Sequence, residues 1–61
     1  MLKEWKIVML TDILEDLGFR WLPFSYSPMA GDKIESPVDG ELCSVIDFDT
    51  SAGTITVTPV E

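Results

Sequence analysis

Apolar and polar positions change rhythm twice along the chain. Between Met9 and Leu17, the residues Met9, Leu10, Ile13, Leu14 and Leu17 fall on one side of a helical wheel, and Thr11, Asp12, Glu15 and Asp16 fall on the other. This spacing predicts an amphipathic helix. Gly18 ends it, because glycine takes the left-handed conformation that a helix C-terminus needs. Residues 4–9 either extend the helix back to Leu2 or form a short strand with Thr11 as N-cap. The long helix is the preferred reading, since most of its positions keep the helical period. Lys6 intrudes on its apolar side, and Trp5 and Val8 stand off it.

After Gly18 the rhythm becomes that of strands and turns. Phe19-Arg20-Trp21-Leu22 is rich in aromatics and suits a strand. Pro23 and Pro28 bracket Phe24-Ser25-Tyr26-Ser27, which reads as an edge or an extended loop because proline lacks the amide a central strand uses. Met29-Ala30-Gly31-Asp32 and Ser36-Pro37-Val38-Asp39-Gly40 read as turns. The last third predicts a β-hairpin. Leu42, Ser44, Ile46 and Phe48 line one side of its first strand, and Glu41, Cys43, Val45, Asp47 and Asp49 the other. Thr50-Ser51-Ala52-Gly53 connects to Thr54-Ile55-Thr56-Val57-Thr58, with Ile55 and Val57 inward and Pro59 as the stop. The expected fold class is therefore α+β: one N-terminal amphipathic helix packed on a small three- to four-stranded antiparallel sheet, in a single compact domain, 1–61.

Composition sharpens this picture. Eleven carboxylates face four basic side chains and no histidine, for a net charge of −7, yet 46% of the 61 residues are hydrophobic. That is a folded acidic domain, not a disordered acidic tail. Cys43 is the one cysteine, so an internal disulfide is impossible and a zinc site is not expected. Stability must come from close fit inside the domain or from self-association. A homodimer would bury aromatic surface in excess of what so small a core holds. No run reaches the roughly 18 apolar residues of a membrane span. Thr11 and Asp12 interrupt the first apolar stretch too early for a signal peptide, which makes the cytoplasm the expected compartment. Lys3, Lys6, Arg20 and Lys33 are scattered, so direct contact with nucleic acid or an anionic membrane is not expected.

Candidate chemistry is thin. Without histidine there is no general base poised near neutral pH, and no serine sits in a nucleophile elbow. Catalytic residues, metal ligands and cofactor-binding residues are accordingly not expected. Asp47 to Gly53 begins like a calcium loop, but the glycine comes one residue late and Thr58 stands where a bidentate glutamate is required. A hairpin turn with solvated aspartates is the simpler reading. Gly31-Asp32-Lys33-Ile34 followed by Ser36-Pro37-Val38-Asp39-Gly40-Glu41-Leu42 resembles the turns of biotinyl and lipoyl carrier domains, where such turns connect strands of a flattened barrel. The modified lysine of those domains occupies a hairpin tip flanked by Met, Asp or Ala. Lys33 stands in another context, and the chain is shorter than that family's two half-repeats.

The acidic pattern is what remains. Asp12 and Asp16 are one helical turn apart with Glu15 beside them; Asp39 and Glu41, and Asp47 and Asp49, are two apart on strands. Such pairs stand roughly 6 to 7 Å apart, a separation that can imitate successive phosphates. At the level of class, the chain resembles the small acidic inhibitors that phages and mobile elements encode against host nucleases, among them anti-CRISPR and anti-restriction proteins that mimic DNA. The resemblance rests on short length, excess carboxylates, the lack of catalytic residues and the expected compact α+β composition. It implies competitive occupancy of a basic nucleic-acid-binding protein or complex, such as a CRISPR surveillance complex, in a bacterial host. The expected contact residues are Asp12, Glu15 and Asp16 in one patch and Asp32, Glu35, Asp39 and Glu41 in a second, joined by Asp47 and Asp49, with Lys3, Lys6 and Arg20 away from that face. The competing expectation is a structural or adaptor protein, such as a phage accessory subunit, that associates through Trp21, Phe24 and Tyr26.

Overall fold

The computed structural model describes residues 1–60. Five strands follow one another along the chain: β1 (Leu2–Leu10), β2 (Leu14–Pro23), β3 (Lys33–Glu35), β4 (Leu42–Asp49) and β5 (Thr54–Pro59). They form one sheet in the order β2-β1-β5-β4-β3. Neighbours pair antiparallel except β1 and β5, which run parallel. The α+β expectation is overturned, because the described residues hold no helix.

The correction has a physical cause in β1. Trp5 and Ile7 point to the interior and are fully buried, and Met9 packs beside them. Glu4, Lys6 and Val8 take the other side, so the period is two and not 3.6. Val8, Ile7 and Trp5 also belong to the residue types that strands favour. Thr11, Asp12 and Ile13 then turn the chain, and Leu14 pairs back onto Leu10. Leu10, Ile13 and Leu14, assigned by the helical wheel to a buried stripe, are exposed. Gly18 has the positive φ expected of it, 100°, but at a bulge and not at a helix end. Ile7 pairs with Gly18 and Val8 with Asp16, which leaves Leu17 as the extra residue.

The C-terminal hairpin forms as the sequence predicts, with Ile55 and Val57 fully buried. A second bulge at Ile46 corrects one detail. Val45 pairs with Val57 and Asp47 with Thr56, so strand β4 changes phase there, and Phe48 lies opposite the inward Ile55. The core joins Trp5, Ile7, Leu22, Ile34, Cys43, Val45, Ile55 and Val57, with Met9, Leu17 and Tyr26 packed against it. Burying each of the larger side chains contributes roughly 1.5–3 kcal/mol, before entropy is set against it.

Twist and the two bulges curl the sheet until its edges face each other. Arg20 belongs to one outermost strand and Glu35 to the other, yet Nη2 and Oε1 stand 3.5 Å apart. No Cα of β2 comes within 8 Å of one in β3, so only side chains cross this seam.

Candidate functional site

The carboxylates serve the backbone before anything else. Asp16 Oδ1 accepts the Gly18 N–H at 2.8 Å, which ties down the bulge. Asp39 Oδ1 accepts the Glu41 N–H at 3.0 Å, and Asp47 Oδ1 accepts the Phe48 N–H at 2.9 Å. Asp49 Oδ1 gathers three donors of the β4–β5 turn: the Ser51 N–H at 3.1 Å, the Ser51 hydroxyl at 2.9 Å and the Ala52 N–H at 3.2 Å. Asp32 Oδ2 accepts the Tyr26 hydroxyl at 3.0 Å and the Met29 N–H at 3.2 Å. These are the local side-chain-to-backbone bonds that aspartate makes in turns. They account for acids lying close together in sequence without any partner.

The two expected acidic patches do not assemble as a helix and a hairpin would have placed them. Asp12 lies in the β1–β2 turn; Glu15 and Asp16 are adjacent on β2 and project to opposite sides. Asp32 precedes β3, whereas Asp39 and Glu41 belong to the loop beyond its far end. The parallel pairing of β1 and β5, and the antiparallel pairing of the rest, put the β1–β2 turn and the β3–β4 loop at the same end of the sheet. Asp12, Glu15, Asp39 and Glu41 therefore share that end. The Asp49 turn lies at the opposite end. Two ion pairs form among the described residues. Lys6 Nζ stands 3.0 Å from Asp16 Oδ2, which puts Lys6 beside a carboxylate it was expected to avoid, and Arg20 meets Glu35. Such exposed pairs contribute about 0–1 kcal/mol.

Hydrogen bonds leave their mark on two carboxyls. The Gly18 amide, then the Lys6 ammonium, hold Asp16 below its ordinary 3.8, and Ser51 and Ala52 do the same for Asp49. A carboxyl depressed in the folded state favours folding above its ordinary pKa, and this contribution fades as the pH falls through the lowered value. Asp49→Ala is therefore expected to lower Tm near pH 7. The gap from wild type should narrow as the pH falls below 3.8 and through the lowered value, where the wild type loses the ionised cap that the variant lacks throughout. Thermal unfolding of the pair across that range checks it; a gap independent of pH would exclude the ionised cap.

Aromatic residues form the other surface. Phe19 lies opposite Lys6 and Trp21 opposite Glu4, so both project from the outer side of the sheet. They are 56% and 57% exposed, and Phe24, just past β2, is 64% exposed. Of the three aromatics expected to make a contact, Trp21 and Phe24 are available. Tyr26 is instead part of the core boundary, where burial, followed by its bond to Asp32, raises its pKa. Phe19 escaped sequence reasoning as a surface residue. Its spacing of two from Trp21 was the available signal, since residues two apart on a strand share a side.

Burial, then Asp39 and Glu41, push the Cys43 thiol up, away from the reactive thiolate. Its S–H faces the Glu41 carbonyl at 3.6 Å. Trp5 Nε1 and Arg20 Nε, on directly opposed residues, are buried donors with no acceptor, at a cost of about 1–3 kcal/mol each. Among the described residues, no group of three or more Asp, Glu, Cys or His could hold a metal ion, and no pocket opens. None of the described residues form a helix long and apolar enough to cross a membrane.

Known proteins supply no shortcut here. The chain matches no family model, no curated protein and no solved structure.

Proposed function

We propose that this chain is a non-enzymatic interaction module that engages a protein partner through the aromatic outer side of the β1–β2 hairpin. The observation that carries this reading is Phe19 and Trp21, side by side in space and more than half exposed on an edge strand, with Phe24 continuing the surface. Large aromatics in water are costly on a domain whose core is this small, and aromatic residues are enriched where proteins meet. This is the adaptor expectation with its surface redrawn: Phe19 enters and Tyr26 leaves.

DNA mimicry is the second reading, and one observation favours it. Asp12, Glu15, Asp39 and Glu41 share one end of the sheet, and no cation pairs with any of them among the described residues. A basic groove would accept such an end, with an affinity that falls as salt rises. Against this, the aspartates expected to act as phosphate mimics are largely occupied by turn amides.

Two sets of substitutions separate the readings, and both alter exposed side chains. Phe19→Ser with Trp21→Ser is expected to weaken partner capture from bacterial lysate roughly tenfold or more, as loss of a central aromatic contact does. Asp12→Lys with Glu15→Lys and Glu41→Lys should leave capture within about threefold. The opposite outcome, with duplex DNA displacing the captured partner, would overturn the aromatic reading and establish the acidic end as the contact.

A further inference from the structure

We propose that the partner is a second copy of this chain, stacked with its strands reversed on the outer side of β1 and β2. This rests on the interaction-module reading and names the partner.

Charge selects the occupant. The outward residues of β1 and β2 include two carboxylates, Glu4 and Asp16, and one cation, Lys6. Their balance is −1, on a chain that carries −7. Repulsion between two copies is therefore weakest on this side. Apolar surface is most plentiful there as well: exposed Leu2, Leu10 and Leu14 extend the side that Phe19 and Trp21 occupy. Thr54 and Thr56 of β5 flank it with neutral groups. Asp47 and Asp49 also face outward, but on β4, one strand further on. The curl makes the outer side convex, so two copies touch along β1 and β2 while β4 falls away from the contact.

The order of those charges is self-complementary. Glu4 and Lys6 are successive outward residues of one strand and have opposite signs. In a twofold dimer, whatever residue i meets, its counterpart meets in return. A twofold axis crossing the strands between these two residues sets Glu4 against Lys6 of the second copy, and Lys6 against its Glu4. Trp21 stands level with Glu4, and Phe19 with Lys6, so the same axis lays each aromatic on the other. Strands running in the same sense would oppose Glu4 to Glu4 and Lys6 to Lys6, which rules that direction out. Among the described residues Glu4 has no cation of its own, whereas Lys6 has Asp16 at 3.0 Å. Size sets the strength. Strands of nine and ten residues give a strip roughly 30 Å long and, with the threonines, roughly 15 Å wide. Two such strips bury on the order of 1,000 Å², the lower limit of a specific interface, so the expected Kd is on the order of 10–100 μM.

Sedimentation equilibrium between about 1 μM and 1 mM reads the dimer. Phe19→Ser with Trp21→Ser should raise its Kd roughly tenfold or more. Glu4→Lys and Lys6→Glu, each alone, should also raise it roughly tenfold, because either change makes both cross-copy contacts like-charged. An equimolar mixture of these two variants should dimerise within about threefold of wild type, since one then offers two cations to the other's two carboxylates. That recovery also shows both variants to be folded. Glu41→Lys makes the same charge change as Glu4→Lys but away from the strip, and should leave Kd within about threefold. A wild type that stays monomeric up to about 1 mM, or a dimer indifferent to the serine pair, would overturn the second copy as partner. Glu4→Lys dimerising as the wild type does, or a mixture that stays monomeric, would overturn the reversed stack. Lysate capture weakened by the serine pair, with the wild type monomeric, would keep the interaction module and remove only its assigned partner. The interaction-module reading itself fails by a different result, namely capture and self-association both unaffected by the serine pair.

Discussion

Ile55→Ala is expected to cost about 2–5 kcal/mol of folding free energy, the largest effect of any single substitution considered. Ile55 is fully buried on the central strand, opposite Ile7 of β1 on one side and Phe48 of β4 on the other. Truncation removes transfer energy and leaves a cavity that two flanking strands resist closing. A 61-residue domain holds only about 3–9 kcal/mol in total, so most of the stability is at stake. Ile55→Val, which deletes one methylene, should cost about 0.5–1.5 kcal/mol. Urea unfolding followed by tryptophan fluorescence reads both. An Ile55→Ala loss below about 1 kcal/mol would mean that this strand is not the centre of the core.

Gly18→Val should cost about 1–3 kcal/mol, and for a different reason. Nothing lies within 4 Å of the position a Cβ would take, so no clash is involved. The cost is the backbone's: φ is 100°, a conformation that a β-branched residue avoids. Gly18→Ala should lose less than valine. The valine chain has one escape, which is to iron out the bulge. Every residue of β2 after that point would then change sides, with Phe19 and Trp21 turned inward and Arg20 and Leu22 outward. Amide spectra distinguish a weakened native sheet from a shifted one. Wild-type stability in Gly18→Val would show that the bulge does not depend on glycine.

Legibility divided at the bulges. Thr54 to Thr58 alternates without interruption, so the inward positions of Ile55 and Val57 could be read directly. In the first third, the true alternation runs through Trp5, Ile7 and Met9, and is then cut by a three-residue turn and a bulge. Those two phase changes leave apolar residues at 9, 10, 13, 14 and 17, which happen to keep the period of a helix. Length did not arbitrate, since a long strand pair and a helix fill the same span. The turns at 29–32 and 36–40 were visible from glycine, proline and aspartate.

The candidate surface was legible in part. Asp16, Asp39 and Asp49 each bond the amide two residues on, a habit of aspartate that sequence alone suggests and that explains crowded acids without a ligand. Trp21 and Phe24 were placed on a surface from their prolines. The seam was hidden, because nothing local shows that Arg20 and Glu35, fifteen residues apart, will meet across the curled sheet.

The parallel partnership of β1 and β5 also governs when this protein can take shape. β1 meets its inner neighbour 48 residues further along the chain, Lys6 opposite Thr54, so Trp5 and Ile7 stay unsheltered until the most remote pairing of the sheet has closed. Folding of such a topology waits on the most distant contacts and proceeds slowly for its size.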